Sequence, residues 1–457
     1  MTSTSNSRVG RYLLFFWLAC AAYVVATGLL IQLFLLPRVF PSWDLGDGLM
    51  VRTDSGAFHR LAVELVDRIR SEGWEAWELS PEGQTPAGVA ALFYTLTAPR
   101  PWVLLPLNAV LHATAAVLLV AMIMRLVHDQ RWALLAAAPF VLFPSALRWT
   151  AQIHKDGATI LGFYMFAYAL IILASPSSWF PRWRPGLLAL LLAFAGAALV
   201  WAYRPYMSLM LQVVALAAMV IIMPRLLLGA RRGKIPQRRA WIAVALVAGL
   251  LGLLTVFSRQ GTGRAGESDD EIPPLSASSN PRVAWQSESW MPEPLDRMLR
   301  SLANRRERYR AGFPEAGSLI DIDVEFRSLD NILAYIPRAT QIGLLAPFPT
   351  EWLGAGTLPS TTFMRRAAIP EMLLIYSALL GLPLAIWRFR RKRDFWILMI
   401  LSVGMIVGYA LVVAIVGTLY RMRYPYIMLL TAISIAAAAS WLDERRRARK
   451  PARAGES

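Results

Sequence analysis

The chain alternates long uncharged runs with short polar breaks, and the runs set its architecture. Residues 12–36 contain no Asp, Glu, Lys or Arg. Wound as a helix at about 1.5 Å per residue, such a run crosses a hydrocarbon core of ~30 Å. Nine further runs read the same way: 102–124, 132–147, 157–174, 187–203, 205–223, 241–257, 370–387, 395–420 and 424–441. The first run is too long for a signal peptide and lacks a small-residue cleavage site, so it reads as a retained helix. Residues 86–98 are apolar but too short to span, which marks them as re-entrant or interfacial. The expected fold is an all-α polytopic membrane protein with about ten transmembrane helices.

Composition sharpens this. Hydrophobic residues make up 56% of the 457 and charged residues 17%. A soluble chain carries roughly a quarter charged residues, and uncharged blocks exclude a disordered or collagen-like chain. A single cysteine, Cys20, excludes an internal disulfide and a cysteine metal site. Lys and Arg number 47 against 30 Asp and Glu, a net charge of +17. That balance invites a nucleic-acid reading until the charges are placed. Ten spans put both termini on one side. The loops on that side hold clusters such as Arg231, Arg232, Lys234, Arg238 and Arg239, the run from Arg388 to Arg393, and the basic tail. Of the acids, only Asp129, Asp394, Asp443, Glu444 and Glu456 share it. This is the positive-inside pattern. It predicts cytoplasmic termini, basic loops beside anionic membrane lipids, and no nucleic-acid partner; the Arg-rich, Cys-poor chain fits a bacterial inner membrane.

Residues 1–257 then form a membrane module of seven spans, with 37–101 as its first outer loop. Residues 258–369 form an outer, periplasmic region. Three more spans fill 370–442, and 443–457 is a basic cytoplasmic tail. In the first outer loop Phe58, Leu61, Ala62, Leu65 and Ile69 recur at helical spacing, with Glu64, Asp67, Arg68 and Arg70 between them. This predicts an amphipathic interfacial helix, with Asp54 or Ser55 as its cap. The second outer region opens with polar, Pro- and Ser-rich sequence over 261–294. A basic helical stretch follows over 295–310. Residues 318–326 alternate like a short strand, and Ala346-Pro347-Phe348-Pro349 reads as a rigid turn. Gly261-Thr262-Gly263-Arg264-Ala265-Gly266 matches GxGxxG, but no strand pattern precedes it and no helix pattern follows, so the dinucleotide reading fails.

Ionisable residues near a hydrocarbon core are costly, and function is best sought among them. Here nearly all of them fall at the outer ends of spans. Asp54 lies in Arg52-Thr53-Asp54-Ser55-Gly56-Ala57-Phe58-His59. It reads as a helix cap or as a catalytic carboxylate, and the two are compatible. His154-Lys155-Asp156 occupies the turn between the third and fourth spans, behind Arg148 and Gln152. A satisfied Lys–Asp pair, a cap at Asp156 and a functional cluster are all open. Arg204, between Tyr203 and Pro205-Tyr206, sits in a nearly loopless hairpin, where it either snorkels or meets an anion. Arg421 and Arg423 lie on the side that the positive-inside rule disfavours, which points to an anionic partner. Asn108 and His112 share a helix face and read as helix–helix hydrogen-bonding groups. Arginine grips phosphate through a planar fork and lysine as a point charge. The set predicts a lipid-linked phosphate or diphosphate, with its tail in a groove between spans.

This layout resembles the GT-C superfamily of membrane glycosyltransferases, which draw sugars from polyprenyl-phosphate or polyprenyl-diphosphate donors. Asp54 resembles the family's acidic residue in the first outer loop. Asp156 resembles its second acidic residue, in the outer turn between the third and fourth spans. Tyr420-Arg421-Met422-Arg423-Tyr424-Pro425 is similar to an element near the end of many members. Lys155-Asp156, Arg204-Pro205-Tyr206 and Pro347-Phe348-Pro349 also look like membrane proteins encoded with bacterial surface polysaccharides. The resemblance implies a GT-C-like fold, an inverting transfer, a polyprenyl-linked sugar donor and a glycan or lipid-linked acceptor.

In that chemistry Asp54 takes the acceptor's proton. Lys155, His154, Arg204, Arg421, Arg423 and Arg148 face the donor phosphate. Arg52, His59, Tyr203 and Tyr206 orient the acceptor. Asp156 is the second catalytic carboxylate, orienting Lys155 or holding a divalent metal (Mg or Mn). Two other readings share the layout: an O-antigen-type polymerase or ligase, which the basic stretch 297–310 fits, and a non-catalytic flippase or assembly subunit for lipid-linked glycans.

Overall fold

The computed structural model describes residues 3–51, 53–127, 129–174, 184–232, 249, 252, 284–312, 316–356 and 359–453. Within them every long apolar run is helical, as a bilayer requires, because only a helix or a closed barrel satisfies its own backbone there. Seven helical spans among the described residues are long and apolar enough to cross a membrane: Gly10–Val39, Pro101–Leu126, Asp156–Ala174, Gly186–Tyr203, Pro359–Phe389, Arg393–Val412 and Tyr424–Arg447. Large apolar side chains such as Phe15, Leu191 and Phe194 point outward on them, which a water-soluble surface seldom tolerates. The protein is a multi-pass membrane protein.

The expected third span is broken. It consists of α5 (Gln130–Leu142) and α6 (Pro144–Thr150), bent by 63°. Pro144 forces the preceding Phe143 into an extended conformation, which ends α5 and lets α6 begin. The expected run 205–223 is an apolar helix over Pro205–Val220. The expected span 241–257 lies almost wholly outside the described residues, as do Arg52 and the GxGxxG match. The expected run 395–420 ends at Val412, and residues 413–415 leave the helix before a short separate one begins.

The chain divides into two compact units. The first contains Met1–Ala265, Ser377–Leu401 and Met428–Ser457. Helix α1 (Ser3–Leu30) continues into a π-helical segment, Ile31–Val39, and packs on α4 (Leu105–Leu126), with the Trp17 ring N–H donating to Thr114 Oγ1 at 3.1 Å. Helix α2 (Asp54–Glu72) is the amphipathic helix of the first loop. Its apolar face, Phe58, Ala62, Leu65, Val66 and Ile69, is covered by Ala87, Ala90, Ala91 and Tyr94 of α3 (Thr85–Leu96). Helix α3, at 12 residues, is too short to span.

Helix α7 (Asp156–Ala174) pairs with α8 (Arg184–Tyr203), whose other face carries the outward-pointing Leu191 and Phe194. Helix α7 is apolar all round and mostly buried, the mark of an interior helix. Gly162 and Gly196 bring the two backbones together: a Cβ on either would stand 2.7 or 2.5 Å from the other's carbonyl oxygen. Helix α9 (Pro205–Arg231) follows.

The second unit contains Gly266–Tyr376 and Ser402–Ile427. It holds α10 (Glu293–Gly312) and α11 (Leu329–Leu345). Later helices are α12 (Pro359–Leu380), α13 (Leu382–Phe389), α14 (Arg393–Val412), α15 (Val416–Met422) and α16 (Tyr424–Arg453). The expected strand at 318–326 reduces to one antiparallel bridge, Leu319 with Ile415. Ile320 N–H donates to Ala414 O at 3.0 Å, and Val416 N–H to Ser318 O at 2.9 Å.

Candidate active site

Three separated stretches of the first unit meet at one end of the α7–α8 pair. Asp156 is the first residue of α7, where the helix dipole favours a carboxylate. Arg204 follows the last residue of the antiparallel α8. The Gly162–Gly196 approach holds the two ends together, and Arg204 Nη2 donates to Asp156 Oδ1 at 3.1 Å. Arg204 Nη1 donates to the Tyr206 hydroxyl at 2.9 Å. Asp156 and Arg204 are 5% and 3% exposed, so this is a buried ion pair. Desolvating two charges costs several kcal/mol per ion, so such a pair is weak evidence of stabilisation.

The third stretch is the start of α2. Thr53, not Asp54, is its N-cap, and Asp54 is the first helical residue. Ser55, next to it, is buried, and its Oγ lies 3.3 Å from His154 Nε2. His154 Nδ1 in turn lies 3.9 Å from Asp156 Oδ2, an electrostatic rather than hydrogen-bonding distance. Hydroxyl, imidazole, carboxylate and guanidinium thus form one polar line running from α2 to the end of α8. Lys155 is buried, and its Nζ sits 5.5 Å from the centre of the Phe58 ring on α2.

Side-chain amides fix the loop that carries His154. Gln32, in the π-helical segment, donates to Ala151 O at 2.6 Å. Asn108 donates to Thr150 O and Gln152 O, both at 2.9 Å. Gln152 donates to Gly48 O at 2.9 Å and accepts from Met50 N–H at 3.0 Å. Gly48, at φ +75°, lies so close that a Cβ there would stand 2.4 Å from Gln32 O. Asn108 therefore serves this loop, while His112 stacks on Phe140 at 4.6 Å.

His59 faces away from this line toward Tyr94, Nδ1 to hydroxyl at 3.0 Å. Burial lowers its pKa below the usual histidine value, with Asp47 opposing. Tyr203 ends α8 and is half-buried, and Arg148 is half-buried on α6. Arg421 lies on α15 in the second unit. Arg423, fully buried there, engages the carbonyl end of α11: it donates to Ile342 O at 3.3 Å and also to Gly343 O and Ala346 O.

The basic helix α10 is likewise engaged within its unit. Arg300 pairs with Asp296 at 2.6 Å and Arg310 with Glu325 at 3.0 Å. Arg306 is buried against the Phe326 and Tyr335 rings. Asp321 accepts a two-pronged grip from Arg338, at 2.9 and 3.0 Å, and the Tyr335 hydroxyl at 2.8 Å. The Arg338 bonds hold the Asp321 carboxyl below the usual carboxylate range, against the opposing effect of burial.

Among the described residues no three His, Cys, Asp or Glu side chains converge as a metal-binding group. Asp156 is engaged by Arg204. No protein-family model matches the chain, and no curated protein matches it.

Sequence reasoning missed Ser55 as a site residue, and it missed Gln32 entirely. Ser55 carried one signal, its position beside Asp54 at the helix start.

Proposed function

We propose that the chain is a membrane glycosyltransferase with a GT-C-like mechanism. It moves a sugar from a polyprenyl-phosphate or polyprenyl-diphosphate donor to a glycan or lipid-linked acceptor on the outer face of a bacterial inner membrane. The observation that carries this reading is the polar line Ser55–His154–Asp156–Arg204, with Asp54 and Lys155 adjacent in sequence, at the end of two apolar spans. Costly buried charges at that depth call for a functional explanation.

In this reading the acceptor hydroxyl oxygen attacks the anomeric carbon. The bond from that carbon to the phosphate oxygen breaks, and its electron pair leaves on the phosphate. Asp54 takes the hydroxyl proton. Lys155 and Arg204 stabilise the negative charge growing on the leaving group. Asp156 orients Arg204 through their hydrogen bond and His154 through its field. Direct displacement inverts the anomeric centre. Arg423 serves as the cap of α11. Within the basic stretch on which the polymerase reading leans, Arg300 and Arg310 are ion-paired inside their own unit.

A deletion strain tests the reaction class. Accumulation of polyprenyl carriers bearing single sugars, reversed by the wild-type gene and not by Asp54→Asn, supports single-sugar transfer. Accumulation of carriers bearing whole repeat units contradicts it.

A further inference from the structure

At the other end of α4 the first unit carries a second feature, an open one, independent of the transferase reading. A cavity of about 880 Å³ opens between the end of α4, the start of α5, the turn after α13 and the last third of α16. Its size is in the range of ligand pockets, roughly 300–1,000 Å³. Asn108, bonded to the His154 loop, and Leu126, at the cavity, lie about 27 Å apart along α4 at 1.5 Å per residue. That is close to the ~30 Å of a hydrocarbon core, so the two features sit at opposite membrane surfaces.

The lining is rich in donors. Arg388, Arg390, Arg391, Lys392 and Arg447 face Asp129, Asp443 and Glu444. The acids are already engaged. Glu444 accepts from Arg388, with one contact at 3.0 Å, and Asp443 and Asp129 lie 2.7 and 3.9 Å from Arg447. Among the described residues Arg390 and Arg391 have no carboxylate partner. Two further donors, Gln130 Nε2 and Trp132 Nε1, are buried with no acceptor. A buried donor left unmatched costs about 1–3 kcal/mol, which an acceptor-rich ligand would recover. The turn is tied in place: the Trp396 ring N–H donates to Arg390 O at 2.9 Å, and Lys392 Nζ to Leu126 O at 2.8 Å.

The rim is apolar. Trp387 and Leu442 beside the cavity are about half exposed, and an indole at the headgroup level anchors a protein in a bilayer. A free anion gains nothing from such a rim, whereas an amphiphile does. We infer that this cavity is a binding site for the phosphate headgroup of an anionic phospholipid, gripped by Arg390, Arg391, Gln130 and Trp132, with its acyl chains along the exposed apolar faces of the neighbouring helices.

The test titrates lipid into the detergent-solubilised full chain and follows thermal unfolding, since a ligand of the folded state raises the melting point with concentration. The expected result is a saturable rise with phosphatidylglycerol and none with phosphatidylcholine. The double variant Arg390→Gln with Arg391→Gln should weaken the phosphatidylglycerol midpoint by at least about tenfold, on the order of the loss of charge-assisted hydrogen bonds. Should that variant not fold, Trp132→Phe provides the same comparison with a smaller, few-fold shift. Equal rises with both lipids, or an unchanged midpoint in the folded variant, overturn the site. A rise of the same size with inorganic phosphate at matched concentration overturns the lipid assignment in favour of a soluble anion.

Discussion

Arg204 donates to Asp156 at 3.1 Å across 48 positions of sequence, and the pair is buried. Removing one partner leaves an uncompensated charge, at a cost of about 3–5 kcal/mol. Asp156→Leu and Arg204→Met should each lower the melting point sharply, and the double variant should recover much of the loss. A thermal double-mutant cycle reads the coupling directly. Additive losses would show that the two side chains do not interact.

The pair depends on the helix crossing that delivers it. Gly196→Val places a methyl-bearing carbon against the Gly162 carbonyl, where even a bare Cβ would stand only 2.5 Å away. Overpacking of this kind costs about 1–3 kcal/mol. The variant should melt lower in the Asp156–Arg204 background, and by clearly less once that pair has been replaced, because parting the helices also parts the charges. Equal losses in both backgrounds would uncouple crossing from pair.

Much of this was legible in the chain. The apolar runs mark the spans because a membrane-buried backbone must hydrogen-bond to itself. Pro144 announced the break between α5 and α6, and its consequence was missed only because 132–147 is apolar on both sides of it. Asp54, His154, Lys155, Asp156 and Arg204 stood out as charges beside apolar runs. The line joining several of them did not, because Ser55 and Gln32 are ordinary residue types whose roles arise from tertiary approach. The same holds for Arg423, whose motif suggested a ligand while its bonds go to backbone carbonyls of α11.

Arg423 yields a separate prediction. Replacing it with Met orphans the carbonyls of Gly343 and Ala346, each worth about 1–3 kcal/mol when buried and unmatched, while Ile342 O keeps the Ala346 N–H at 3.0 Å. Arg423→Met should therefore reduce the yield of folded protein and its melting point before any effect on substrate binding is measured. A variant that melts like wild type yet loses donor binding would return Arg423 to the site.

Acid should loosen the second unit through Asp321. Its carboxyl is held below the usual value by Arg338. The stabilisation is complete above the ordinary carboxylate pKa of about 3.9 and is lost as pH falls through the lower folded-state value. Melting points followed from about pH 7 to pH 3 should fall more steeply for wild type than for Asp321→Asn at the acid end. Parallel curves would remove Asp321 from the acid response.

The central claim is that Asp54 acts as the base for sugar transfer beside a cationic end of two membrane helices. The most direct measurement uses the purified chain in proteoliposomes supplied with polyprenyl-linked sugars extracted from the deletion strain, and follows transfer to acceptor for wild type and Asp54→Asn at matched folded protein. Wild type should turn over, and the variant should be slower by on the order of 100-fold or more with donor binding retained. Transfer at the wild-type rate by Asp54→Asn would contradict the mechanism.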